Sequence, residues 1–176
     1  MRFGVVVSEW NAKVTEALYS GVHATLQKSG VNAADIVRRN VPGSFELTLG
    51  AQLMAERKEF DAIICLGVVI QGETRHFDFI CDAVAKGITD LNLKYSLPVI
   101  FGVLTPDTMQ QAMDRAGGKY GNKGDEAAVA AATAAAAAIL LHFTVSICCC
   151  CYYYCCCCCY YYYCCCCDYS SIIVEL

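Results

Sequence analysis

The chain has 176 residues, enough for one domain with a sizeable core. Its formal net charge is −4, and its basic residues are scattered apart from Arg38-Arg39 and the group Arg115, Lys119 and Lys123. That pattern argues against a nucleic-acid partner, which calls for a basic patch or stripe.

Met1-Arg2 leads straight into Phe3-Gly4-Val5-Val6-Val7, an apolar run too short for a secretory signal. Residues 3–7 suit a strand buried on both faces. Val14, Leu18, Val22 and Leu26 then recur at helical spacing, and Gly30 is the expected stop. Residues 35–41 read as a second strand, ended by Pro42-Gly43. Ser44 is placed to cap the next helix, which carries Leu47, Ala51 and Met54 on one side. Residues 62–70 form the strongest strand pattern. Phe77, Cys81, Val84, Ile88 and Leu91 mark the apolar stripe of a third helix, and residues 99–104 a fourth strand. Thr105-Pro106 resembles a cap followed by proline at the first helical position, with helix over 107–115 and a stop at Gly117-Gly118. Asp125-Glu126 open an alanine-rich final helix, with the acids at its positive end. Strands alternating with helices predict an α/β fold, a three-layer αβα sandwich on a four-stranded parallel sheet, flavodoxin-like in plan.

The body is expected to end near residue 141. Beyond it the composition changes: 13 of the 15 cysteines crowd residues 148–151, 155–159 and 164–167, interleaved only with tyrosine. Metal sites separate their cysteines, and four or five adjacent ones cannot all face one ion, so no metal site is expected. Cys and Tyr codons differ at one base, so a repetitive tract read out of frame would give this pattern. Residues 142–176 are therefore expected to be a low-complexity extension, artefactual or disordered. The apolar run over 139–151 is shorter than the ~20 residues of a bilayer span, so no membrane role is expected. Only Cys65 and Cys81 lie in the body, a usage that suits a cytoplasmic protein.

Ligands of open parallel sheets bind outside the carboxyl ends of the strands. Those ends carry Ser8-Glu9-Trp10-Asn11, then Pro42-Gly43-Ser44-Phe45-Glu46, then Gly72-Glu73-Thr74-Arg75-His76-Phe77, then Phe101-Gly102 and Thr105. His76 is the acid–base candidate, since imidazole titrates near neutral pH. Gly72-Glu73-Thr74 before a helix offers N–H groups and a hydroxyl to a phosphate, and Arg115 could grip one bidentately. Trp10, the single tryptophan, could stack on a flat heterocycle. Glu46 could accept hydrogen bonds from a polyol. Phe101, inside an apolar run, reads as core from the residues alone, and Lys119 and Lys123 as a solvated basic loop.

Taken together and in order, these segments resemble the 6,7-dimethyl-8-ribityllumazine synthase family over residues 1 to about 140. The stretches 41–46, 67–77, 98–105 and 115–124 join Ser8-Glu9-Trp10-Asn11 in that resemblance. It implies condensation of 5-amino-6-ribitylaminouracil with 3,4-dihydroxy-2-butanone 4-phosphate in riboflavin biosynthesis, without a metal or organic cofactor. It assigns proton transfer to His76 and ring stacking to Trp10. Ser44, Phe45 and Glu46 would hold the ribityl chain and ring, and Val68, Val69 and Ile70 would meet the pyrimidine edge. Glu73 (mainly by its backbone), Thr74 and Arg115 would hold the phosphate-bearing substrate, with Phe101 and Arg115 reaching in from a neighbouring subunit. The partners implied are copies of the chain, in a pentamer or a sixty-subunit shell, and riboflavin synthase as recipient of the product. Met1 stands directly before the first core strand, so the extra leading strand of many members is expected to be missing. The competing readings are a non-catalytic flavin- or lumazine-binding or cage-forming homologue, and an unrelated flavodoxin-like binder. Intact His76, Thr74 and Arg115 weigh against the former. The poor phosphate loop at residues 8–11 weighs against the latter.

Overall fold

A computed structural model describes the backbone of residues 1–154 and the side chains of residues 1–141. Four parallel strands form its centre: β1 (Phe3–Ser8), β2 (Ile36–Val41), β3 (Ala62–Val68) and β4 (Val99–Leu104), in the order β2-β1-β3-β4. Every residue of β1 and β3 is buried, as their unbroken apolar runs require of strands covered on both faces.

Alternation along the strands divides the core in two. On one face Phe3, Val5, Val7, Ile64 and Leu66 meet the Val14, Leu18, Val22 and Leu26 stripe of α1 (Ala12–Lys28). Ala127, Ala128, Ala131 and Ala135 of α5 (Lys123–Tyr154) close the same face. On the other face Val6, Ile63, Cys65, Val99 and Val103 pack against α2 (Leu47–Ala55) and α3 (His76–Tyr95). The three-layer αβα sandwich is thus present, with helices on both faces of the parallel sheet. Cys65 is fully buried, and desolvation pushes its thiol up to about 12.

Local signals misplace two helix starts. Thr105-Pro106 does not open a helix. Val69 N–H donates to the Leu104 carbonyl at 2.8 Å and Gln71 N–H to that of Pro106 at 3.0 Å, so this segment stays extended beside the continuation of β3. Helix α4 (Met109–Asp114) begins later, capped by Thr108, whose hydroxyl accepts from Gln111 N–H at 3.2 Å. Nor does Ser44 cap α2; its side chain turns inward, and Glu46 holds the N-cap position. Gly117 and Gly118 do more than stop a helix. They belong to a small hairpin, β5 (Ala116–Gly118) and β6 (Gly121–Asn122), which leads into α5.

Met1–Ile139 form one compact unit, and a second begins at Leu140. Helix α5 carries its backbone past the expected boundary at residue 141, to Tyr154. The remainder of the expected Cys/Tyr extension lies outside the described residues. The stretch Lys123–Leu141 is long and apolar enough to cross a membrane, but its buried alanines belong to the core of the first unit.

Candidate active site

A cleft of about 710 Å³ opens at the carboxyl ends of β1, β2 and β3, within the range of small-molecule sites. Three segments build its walls. After β1, Asn11 turns the chain in the left-handed region (φ 58°), and Trp10 is left 70% exposed on the cleft. After β2, residues 43–46 form a tight turn in which Gly43 N–H donates to Glu46 Oε2 at 2.9 Å. A Cβ on Gly43 would stand 3.1 Å from that oxygen and 3.3 Å from Trp10 Cε3, so the missing side chain lets the turn and the indole approach.

The third wall is Val68, Val69 and Ile70, where β3 outruns β1. Val69 and Gln71 spend their N–H groups on the β4 side. Successive strand residues direct their backbone groups to opposite sides, so Ile70 directs its own toward the side that β1 has vacated. The floor depends on Gly67, where a Cβ would lie 2.6 Å from Ser44 Oγ and 2.9 Å from Leu47 Cδ1. Without it, buried Ser44 donates its hydroxyl to the Val68 carbonyl at 3.2 Å, tying the second wall to the third.

His76 is the first residue of α3 and lines the same cleft. Thus Trp10, Ser44, Phe45, Glu46, Val68, Val69, Ile70 and His76 all line one cleft. Asn11 and Gly43 of the strand-end segments also line it, as do Phe79 and Ile80, which those segments do not include. Phe79 and Ile80 were legible: they follow His76 by three and four residues, one face of a helix. The chemistry on offer is a flat aromatic, an apolar slot with backbone polar groups, a carboxylate and an imidazole.

The remaining candidates lie apart. Arg115 lines a separate cleft of about 240 Å³ at the end of β4, with Leu104, Thr105, Pro106 and Gln111. It is preset there: its guanidinium donates to the Tyr120 carbonyl at 2.8 Å and to Glu126 Oε1 at 2.7 Å, while Lys123 Nζ takes Glu126 Oε2 at 2.8 Å. Those bonds, from Lys123 first and Arg115 second, hold the Glu126 carboxyl below its ordinary range. Glu73 and Thr74 are exposed in the loop before α3, outside the lining of either cleft. Phe101 is 37% exposed on edge strand β4 and likewise lines neither, so it is a surface residue rather than core. One copy of the chain therefore carries two separate clefts, one lined by Trp10, Glu46, His76 and apolar side chains, the other by Arg115.

A family model described as 6,7-dimethyl-8-ribityllumazine synthase matches residues 1–138. A protein of that name from Cytophaga hutchinsonii is 65% identical over 127 residues, 72% of this chain and 80% of its own length. Another from Parabacteroides distasonis is 60% identical over 129 residues, covering 73% and 81%, and one from Bacteroides fragilis is 54% identical over 129 residues, covering 73% and 90%. Clefts and kinship agree, and the chain belongs to the 6,7-dimethyl-8-ribityllumazine synthase family, transferases of riboflavin biosynthesis.

Proposed function

We propose that the chain condenses 5-amino-6-ribitylaminouracil with 3,4-dihydroxy-2-butanone 4-phosphate to 6,7-dimethyl-8-ribityllumazine, releasing water and phosphate. The observation that carries the assignment is the cleft that sets Trp10, Glu46 and His76 around the apolar slot of Val68, Val69 and Ile70. Trp10 stacks on the pyrimidine ring. Ser44, Phe45 and Glu46 take the ribityl chain, and the backbone of residues 68–70 reads the ring edge. His76 moves the protons of imine formation, phosphate elimination and ring closure. Mixing the protein with both substrates should give the absorbance and fluorescence of the lumazine. No product above the uncatalysed background would overturn the assignment.

The anion is held by Arg115, with Thr74 and the backbone of Glu73. Arg115→Ala removes charge-assisted bonds of about 1.5–3 kcal/mol, so the KM for the butanone phosphate should rise roughly 10- to 150-fold. An unchanged KM would place the phosphate elsewhere.

The working site lies between copies: Arg115 and Phe101 of one chain complete the cleft of the next. Leu49 and Leu53 of α2 and Val129 of α5 are each more than half exposed, apolar surface that suits cover by further copies. The assembly is a pentamer, alone or as part of a sixty-subunit shell, in the cytoplasm, delivering its product to riboflavin synthase. A shared site predicts complementation. His76→Ala and Arg115→Ala chains, unfolded together, reassembled at equal amounts and assayed with the butanone phosphate well below its KM, should recover about a quarter of wild-type activity, because random pairing leaves that share of sites with both groups. Recovery of none would mean that each site draws both residues from one chain.

A further inference from the structure

We infer that Ser8 is a positioning residue for the ring-binding wall, acting on Ser44 through one buried water. The inference rests on the assignment of the Trp10–His76 cleft to the pyrimidine substrate. Ser8 ends β1, is 1% exposed, and its hydroxyl finds no hydrogen-bond partner among the described protein atoms. Buried hydroxyls are rarely left so, and a buried water is the usual partner where protein supplies none.

Register shows what lies beside it. Ser8 pairs with Val41 of β2, and on the other side Val7 pairs with Leu66 of β3. One further step of that ladder brings Ser8 level with Gly67. Alternation puts Ser8 on the face of Val6, whose side chain packs with Leu47 and Ala51 of α2. Gly67 opens onto that same face, and Ser44 Oγ lies 2.6 Å from where its missing Cβ would stand. The Ser44 hydroxyl, carried on the turn after β2, thus reaches over the strand beside Ser8, whose backbone runs about 4.8 Å from that of β1. One water placed between the two hydroxyls would join them. Ser44 already donates to Val68, so its oxygen is free to accept from such a water, and Ser8 can take the water's other hydrogen or donate to it.

The consequence is directional. With its oxygen engaged by the water, the Ser44 hydroxyl is fixed on the Val68 carbonyl, and the 43–46 turn is fixed with it. Without Ser8, Ser44 has a second rotamer to sample, and the wall that takes the ring and ribityl chain loosens. The phosphate half-site, built on α4, β5 and α5, is not reached by this bridge.

The test is steady-state kinetics of Ser8→Ala with each substrate varied in turn. The KM for 5-amino-6-ribitylaminouracil should rise roughly 3- to 10-fold, the scale of one neutral hydrogen bond. The KM for the butanone phosphate and kcat should stay within about 2-fold. In a Ser44→Ala background the same substitution should have no further effect. Equal rises in both KM values, or full additivity with Ser44→Ala, would make Ser8 merely structural and overturn the inference. Should Ser8→Ala not fold, a high-resolution crystal structure of the unmutated protein decides: it should show a water about 3 Å from both hydroxyls, and its absence overturns the inference. A wild-type protein that makes no lumazine would instead defeat the assignment of the cleft itself.

Discussion

His76→Ala is expected to lower kcat by about 10²- to 10⁴-fold, the range for removing a general acid–base group. Imine formation, phosphate elimination and ring closure each move a proton, and His76 is the one imidazole in the cleft among the described residues. Glu46 cannot readily substitute, because one carboxylate oxygen is committed to Gly43 N–H. The variant should keep its KM values, since the walls that bind the ring do not include the imidazole's proton. Its stability should stay within about 0.5 kcal/mol, because His76 is an exposed residue at a helix start. Residual turnover should still exceed the uncatalysed reaction, since alignment of two substrates contributes independently. The decisive measurement is kcat from lumazine absorbance, beside light scattering to verify assembly. A loss of less than 10-fold with assembly intact would move proton transfer to another group.

Gly124→Ala is expected to give the largest loss of stability. A Cβ there would stand 2.0 Å from the Leu18 carbonyl oxygen and 2.8 Å from its carbonyl carbon. Both are backbone atoms of α1, held by the helix itself, so neither can rotate away. The start of α5 must back off, at a cost of about 3 kcal/mol or more, the upper end for overpacked sites. For a chain of this size the melting temperature should fall by roughly 6–12 °C. Gly72→Ala is the matched control: nothing lies within 4 Å of its added carbon, and its melting temperature should hardly change. Equal melting of the two variants would contradict the close approach of α5 to α1. The Gly124 variant should also weaken anion binding, since Lys123 and Glu126 beside it frame Arg115.

The strands were legible because burial on both faces leaves continuous apolar runs, and α1 and α3 because their stripes keep helical period. The cap of α4 was not. Thr105-Pro106 has the stronger local signature, but the chain pairing that holds Pro106 to Gln71 outweighs it, and no local rule contains that pairing. Ser44 has the local signature of a cap, but the space that draws its hydroxyl inward is created by Gly67, 23 residues away in the sequence. The β5–β6 hairpin is too short to show a period. It is held by Tyr120 N–H on Asp114 and Lys123 N–H on Arg115, contacts visible only once the chain is folded. Among the site residues, those on the three strand ends were legible as a group because parallel topology sends them to one edge. Phe79 and Ile80 lie one helical turn beyond the Gly72–Phe77 segment and reach the cleft through helix periodicity, which the segment itself does not display.

The Arg115–Glu126–Lys123 cluster also determines how the protein should respond to its solvent. Glu126 has a folded-state carboxyl value below its unfolded one, so its contribution is present above the ordinary carboxylate range and is lost only as pH falls through the depressed value. Mild acidification therefore leaves the Arg115–Glu126–Lys123 cluster charged and aligned. Dissolved salt is another matter: the Arg115 and Glu126 side chains are 34% and 49% exposed, open to screening that a buried pair would escape. Ionic strength, more than acidity, is the variable that should slacken the grip on the phosphate substrate.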